Sequence, residues 1–221
     1  MIKAFLFDLN GTMIDDMPFH ITAWHELFTK FGANFTREEA TQECYGKNDE
    51  ILDRIFPGRF SQEEKNTISI NKETAYQKVY LPHLQLIDGL PIFLEEAKKR
   101  GIKMAIGSAA IMFNINFVLD NLNIRHYFDA IISADDVVIS KPNGETYLTC
   151  AQALGVQPQE CIVFEDVPKG MESAVNAGMK AVVITSLHTQ NEFDSFDNIL
   201  SFINSYNQIK IDDIIKVVED K

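Results

Sequence analysis

The chain has 221 residues, with 20 Lys and Arg against 32 Asp and Glu, a formal net charge of −12. At 46% hydrophobic and 24% charged it is composed like a globular protein, which excludes intrinsic disorder, and it is long enough to bury a core without disulfides or structural metals. The negative charge argues against nucleic acid or an anionic membrane as a partner, so an anionic small ligand needs a local positive site or a metal.

Cys44, Cys150 and Cys161 are far apart and odd in number, which fits neither a zinc spacing nor a disulfide framework and points to a reducing cytoplasm. Asp8 cuts the apolar start too early for a signal peptide, and the apolar stretch 104–113 is far short of a membrane span. No internal repeat is present. A monomer is expected.

In chain order, Ala4–Phe7 predicts a first strand, and no good strand follows over 16–81. Residues 17–31 repeat Phe19, Ala23, Trp24, Leu27, Phe28 and Phe31 at helical spacing. Thr36 with Glu39, and Ser61 with Glu64, have the spacing of capping boxes; Asn48 or Asp49 is placed to cap a helix over 50–56. Pro82 and Gly89 mark the return to a sheet. Short apolar runs at 103–106, 130–132, 162–164 and 181–184 predict further parallel strands, buried on both faces. Helices over 91–100, 145–154 and 168–177 each end at a glycine: Gly101, Gly155 and Gly178. After Ile184 the chain is polar and weakly patterned until a final helix over 211–218. The fold class is α/β: a doubly wound, mainly parallel sheet core over 1–15 and 82–221, with an all-helical cap inserted over 16–81.

Four constellations sit at predicted strand ends or helix starts. Asp8 closes the first strand before a polar turn with Gly11 and Thr12. A carboxylate there suits nucleophilic attack on phosphorus, and the glycine turn lets backbone N–H groups approach a phosphoryl group. Taken alone, it also reads as a strand end with an Asx-turn. Ser108 closes the 103–106 run and has a hydroxyl to offer a phosphate or the next helix. Lys141, before Pro142, suits charge neutralisation, or a solvated turn. Glu165 and Asp166 close the 162–164 run. Adjacent carboxylates need a cation, and Mg²⁺ prefers a few carboxylates with water and phosphate oxygens; the acidic start of a helix is the other reading.

The order Asp8, Ser108, Lys141, Glu165-Asp166 resembles the haloacid dehalogenase-like superfamily of phosphohydrolases and phosphomutases, over residues 2 to about 184. The segment His20-Ile21-Thr22-Ala23-Trp24, the pair Lys72 and Tyr76, and Asp129-Ala130 resemble the β-phosphoglucomutase group within it. The resemblance implies Asp8 as nucleophile and Mg²⁺ ligand. It implies the Asn10 carbonyl and Asp166 as further ligands supported by Glu165, and Ser108 with Lys141 as holders of the phosphoryl group. It also puts His20, Lys47 and Lys72 on the cap side of the substrate. Read from the residues alone, His20 and Trp24 simply face the cap interface and Lys72 is a solvated helix lysine.

Two positions depart from the pattern. Asn10 stands where the group has the general acid/base Asp, and a carboxamide does not exchange a proton; Asn10→Asp is expected to raise turnover on alkyl phosphates. Gly46-Lys47-Asn48-Asp49 stands where the group has an arginine, and Lys47 lacks the bidentate fork suited to a distal phosphate. The expected function is a Mg²⁺-dependent phosphatase for a small phosphorylated metabolite such as a sugar phosphate. A β-phosphoglucomutase-type phosphomutase is the alternative, and a phospholigand-binding protein impaired by Asn10 a further one.

Overall fold

A computed structural model describes residues 1–219. Among them a six-stranded parallel sheet runs in the order β3-β2-β1-β4-β5-β6. The strands are β1 (Ala4–Phe7), β2 (Lys103–Gly107), β3 (Ala130–Ile132), β4 (Cys161–Glu165), β5 (Lys180–Ile184) and β6 (Ile199–Ile203). Five match the expected runs. The edge strand β6 lies in the segment read as unpatterned. It pairs only with β5, through an irregular register, and only Ile203 in it is fully buried.

Helices cover both faces of the sheet. They are α5 (Leu90–Lys99), α6 (Met112–Asn121), α7 (Glu145–Leu154), α8 (Pro168–Asn176) and α9 (Ile211–Glu219), in a numbering that includes α1–α4 below. Side chains alternate along β1. Ala4 and Leu6 join Val163 and Tyr147 on one face, while Phe5 and Phe7 join Phe93, Phe164 and Tyr206 on the other. Burial on both faces is why the strands read as unbroken apolar runs.

The helices α1 (Met17–Lys30), α2 (Arg37–Glu43), α3 (Asn48–Ile55) and α4 (Gln62–Tyr80) follow β1. The capping boxes at Thr36 and Ser61 form on both sides: the Thr36 N–H donates to Glu39 at 2.8 Å and the Ser61 N–H to Glu64 at 2.8 Å. α3 starts earlier than expected, because the Lys47 N–H donates to Glu50 at 3.2 Å and Asn48 is already helical. Trp24, Phe28, Ile51, Leu52 and Phe56 make a separate apolar cluster for these helices. Tyr76 and Tyr80 of α4 pack instead with the sheet-face cluster, which seats α4 on the core. Among the described residues no helix is long and apolar enough to cross a membrane.

The register fixes where chemistry gathers. Phe7 lies opposite both Ile106 and Phe164, so β1, β2 and β4 end level with one another. The strand order reverses between β1 and β4, and the crevice outside the carboxyl ends at such a point is where open α/β sheets bind ligands.

Candidate active site

The residues just past these strand ends converge. Lys141 Nζ donates to Asp8 Oδ1 at 2.7 Å and to Glu165 Oε1 at 2.6 Å. The Tyr147 hydroxyl of α7 donates to the same Glu165 oxygen at 2.6 Å, and the Asp166 N–H donates to Glu165 Oε2 at 3.0 Å. Glu165 is therefore fully engaged in holding Lys141. Gly170 on α8 makes room for it: a Cβ there would lie 2.0 Å from the Glu165 carboxyl.

The turn after Asp8 closes over Asp166. Gly11 has φ 76°, and a Cβ on it would sit 2.0 Å from Asp166 Oδ2. Asp166 Oδ1 accepts from the Thr12 hydroxyl at 3.1 Å, whereas Oδ2 is buried with no hydrogen-bond partner. Ser108, 1% exposed, lines the same cavity, and its Oγ also accepts from the Ala110 N–H at 3.2 Å.

Electrostatically the centre is short of positive charge. Burial, then the neighbouring Glu165 and Asp8, pushes the Asp166 carboxyl well above its usual range. Burial also lifts Asp8, to about 7, against the opposing pull of Lys141. Burial would lower the Lys141 ammonium, but Asp8 and Glu165 outweigh it and hold it charged. One lysine thus serves three carboxylates that lie within 4.8 Å of one another. An orphaned buried oxygen and an all-carboxylate donor set suit a hard divalent cation.

The opposite wall of the cavity is built by the helical insert. Asn10 Nδ2 donates to Asp16 Oδ2 at 2.6 Å and lies 3.2 Å from His20 Nε2. Asp16 also accepts from the Tyr76 hydroxyl and, at 3.2 Å, from the Gly11 N–H. The His20 ring stacks on Tyr76 with centroids 3.9 Å apart. Lys72 lies over the Trp24 ring at 4.7 Å and donates to Glu73 at 2.6 Å.

Asp8, Asn10, His20, Lys72, Ser108, Lys141, Glu165 and Asp166 all line one cavity of roughly 100 Å³, with Trp24 beside them. Lys72 is 6% exposed, which corrects its reading as a solvated lysine. Lys47 is outside the cavity; its Nζ donates to the Val137 carbonyl at 2.9 Å and lines a neighbouring cleft. Asp16, Glu73, Asn114 and Tyr147 went unnoticed in the sequence. Asp16 reads there as one of two acids ahead of a helix and Tyr147 as one aromatic on an amphipathic helix. Only the fold carries either to the site.

The model of the haloacid dehalogenase-like hydrolase family matches residues 5–184. The fructose-1-phosphate phosphatase YqaB of Escherichia coli is 30% identical over 182 residues, which cover 82% of this chain and 96% of that protein. The solved structure of a HAD hydrolase, family IA, variant 3, from Entamoeba histolytica superposes with a TM-score of 0.88 at 28% identity, over 99% of this chain and 100% of that one. The β-phosphoglucomutase of Clostridium difficile superposes at 0.85 and 28%, over 100% of this chain and 98% of that one. With the match spanning Asp8, Ser108, Lys141, Glu165 and Asp166, this chain belongs to the haloacid dehalogenase-like hydrolase family, in its β-phosphoglucomutase-like group.

Proposed function

We propose that this enzyme hydrolyses a small phosphorylated metabolite of the sugar-phosphate class at Asp8. The observation that carries the proposal is Lys141 bridging Asp8 and Glu165 beside the unpartnered Asp166 oxygen. The phosphatase YqaB, named for fructose 1-phosphate, supports the substrate class.

Asp8 and Asp166, with the Asn10 carbonyl, are the residues suited to hold Mg²⁺, and the ion when bound supplies charge neutralisation to the phosphoryl oxygens. An Asp8 carboxylate oxygen attacks phosphorus, forming an O–P bond, and the bond to the leaving oxygen breaks with its electron pair. Lys141 offsets the charge of the nucleophile and the incoming phosphoryl group together, and the Ser108 hydroxyl donates to a phosphoryl oxygen. Water then attacks phosphorus and yields a proton that restores the one His20 gave up, the Asp8–phosphorus bond breaks with its electron pair going to the Asp8 carboxylate, and inorganic phosphate is released. Asn10 orients and does not exchange a proton; the imidazole beside it, His20, is assigned the proton that the leaving oxygen gains. Residues 16–81 act as a cap that closes on the core of 1–15 and 82–221 and excludes water from the first step.

The test is phosphate release from a panel of phosphomonoesters with Mg²⁺. Sugar phosphates should be turned over, and Asp8→Ala should abolish release while the protein stays folded. Release by folded Asp8→Ala removes the covalent mechanism. Binding without release from any ester favours the phospholigand-binding reading. Likeness to the C. difficile β-phosphoglucomutase supports a second reading, phosphomutase activity, which conversion of β-glucose 1-phosphate to glucose 6-phosphate would reveal.

A further inference from the structure

The cavity wall facing Asp8 is organised around one carboxylate. Glu73 Oε1 accepts from Lys72 Nζ at 2.6 Å and from Asn48 Nδ2 at 2.9 Å, and Oε2 accepts from Asn114 Nδ2 at 2.8 Å. His20 Nδ1 lies 3.9 Å from Oε2 and 3.2 Å from Lys72 Nζ. Glu73 is 3% exposed, and Lys72 and Glu73 both line the cavity. Burial would raise the Glu73 carboxyl, but Lys72, then His20 and the hydrogen bonds of Lys72 and Asn48, outweigh it and hold it below the ordinary range. The wall is therefore a closed ion pair flanked by two amides.

Beyond Lys72 and the His20 imidazole, which is already flanked by Asp16 at 3.3 Å and Glu73 at 3.9 Å, no other cation faces this wall among the described lining residues. Lys141 is committed to Asp8 and Glu165. Lys47 is turned out of the cavity onto Val137. Lys169, on the core side, is exposed at the cavity edge, where solvent screens it. An anionic group pushed against Glu73 loses its water, meets a like charge and gains no counter-ion, whereas hydroxyl groups find amide and carboxylate partners at no charge cost.

We propose that Glu73 makes this site selective for phosphomonoesters whose remainder is uncharged and hydroxylated, because it cancels Lys72 and leaves a second anionic group unpaired. The inference rests on the phosphatase reading and adds to it which sugar phosphates are taken: monophosphates, to the exclusion of bisphosphates and phosphorylated acids.

The experiment compares pairs that differ in the charge of the remainder: a hexose 1-phosphate against its 1,6-bisphosphate, and glycerol 3-phosphate against 3-phosphoglycerate. The native protein should favour the first of each pair about tenfold or more in kcat/KM. Glu73→Gln frees Lys72 and should narrow both preferences about tenfold, while a purely structural role would lower both members alike. Equal use of both members by the native protein, or unchanged preferences in folded Glu73→Gln, overturns the proposal. Should Glu73→Gln fail to fold, Asn48→Lys adds a cation to the same wall from a half-buried position and should narrow the preferences; no change there overturns the proposal equally. If the native protein releases phosphate from neither member, the phosphatase reading fails instead. Titration calorimetry of the same pairs with Mg²⁺ present then still reads the selectivity, and equal affinities would overturn it.

Discussion

Asn10 donates its side-chain amide to Asp16 Oδ2 at 2.6 Å. The carboxylate expected two residues after Asp8 stands instead at the residue preceding α1, fully buried, with Tyr76 and the Gly11 N–H as its other donors. Amide and carboxylate are paired across the turn, so neither can be changed alone.

Asn10→Asp by itself would set a half-buried carboxylate against the buried one of Asp16 at that distance, so one of them must take a proton or break the contact. This revises the expectation that Asn10→Asp raises turnover. The single variant should lose about 3 kcal/mol of stability in urea unfolding and gain nothing on alkyl phosphates. The exchange Asn10→Asp with Asp16→Asn should recover most of that stability. It should also raise alkyl-phosphate turnover about tenfold or more, at the low end of what a positioned acid/base contributes. If the exchanged protein is no more stable than Asn10→Asp, the two residues are not coupled.

The legibility of this site divides along the same line. Asp8, Ser108, Glu165 and Asp166 were readable because each ends an apolar run, and a parallel sheet sends all such ends to one edge. The hub of Glu73, Asn48 and Asn114 was not, because its members come from α3, α4 and α6 and are joined only when the insert packs on the core. Lys72 misled for a related reason: helix lysines are usually solvated, and this one is instead paired with its own neighbour Glu73 and laid over Trp24. β6 was missed because a half-exposed edge strand lacks the unbroken apolar signature of the central ones.

Metal binding should show as stability. Without a divalent cation, the buried Asp166 carboxylate lacks adequate compensation, and its raised pKa means that the folded state disfavours its charge. Mg²⁺ at about a hundred times its dissociation constant should add about 2.7 kcal/mol. Asp166→Asn removes both the penalty and the site. In chelator it should therefore melt at or above the native protein, and it should respond little to Mg²⁺. Calorimetric melting with MgCl₂ and with EDTA checks both halves. An equal Mg²⁺ shift in the two proteins would move the site away from Asp166.

Tyr147 tests how Lys141 is held. Its hydroxyl and Lys141 Nζ both donate to Glu165 Oε1 at 2.6 Å, inside a fully buried cluster. Tyr147→Phe removes one charge-assisted hydrogen bond and changes little else in shape. The expected cost is about 2 kcal/mol in urea unfolding. Turnover should fall less than it does in Lys141→Met, since the ammonium keeps both of its carboxylates. A Tyr147→Phe protein as stable as the native one would show that Glu165 is satisfied without it.

Gly170 is the sharpest test of the packing behind the site. It lies inside α8, where alanine is ordinarily favoured over glycine by about 1 kcal/mol, so helix propensity alone makes Gly170→Ala stabilising. The Cβ, however, would fall 2.0 Å from the Glu165 carboxyl carbon and from one of its oxygens. Glu165 has nowhere to retreat, because Lys141, Tyr147 and the Asp166 N–H fix it from three sides. Either α8 shifts outward or the carboxylate turns and strands Lys141. Both disturb a close-packed interior, and overpacking of that kind costs about 1–3 kcal/mol or more. Gly170→Ala should therefore destabilise by about 2 kcal/mol net and lower kcat through Lys141, with the loss measured by urea unfolding beside phosphate release. A stabilised Gly170→Ala protein with native turnover would mean that Glu165 does not lie against α8 as described.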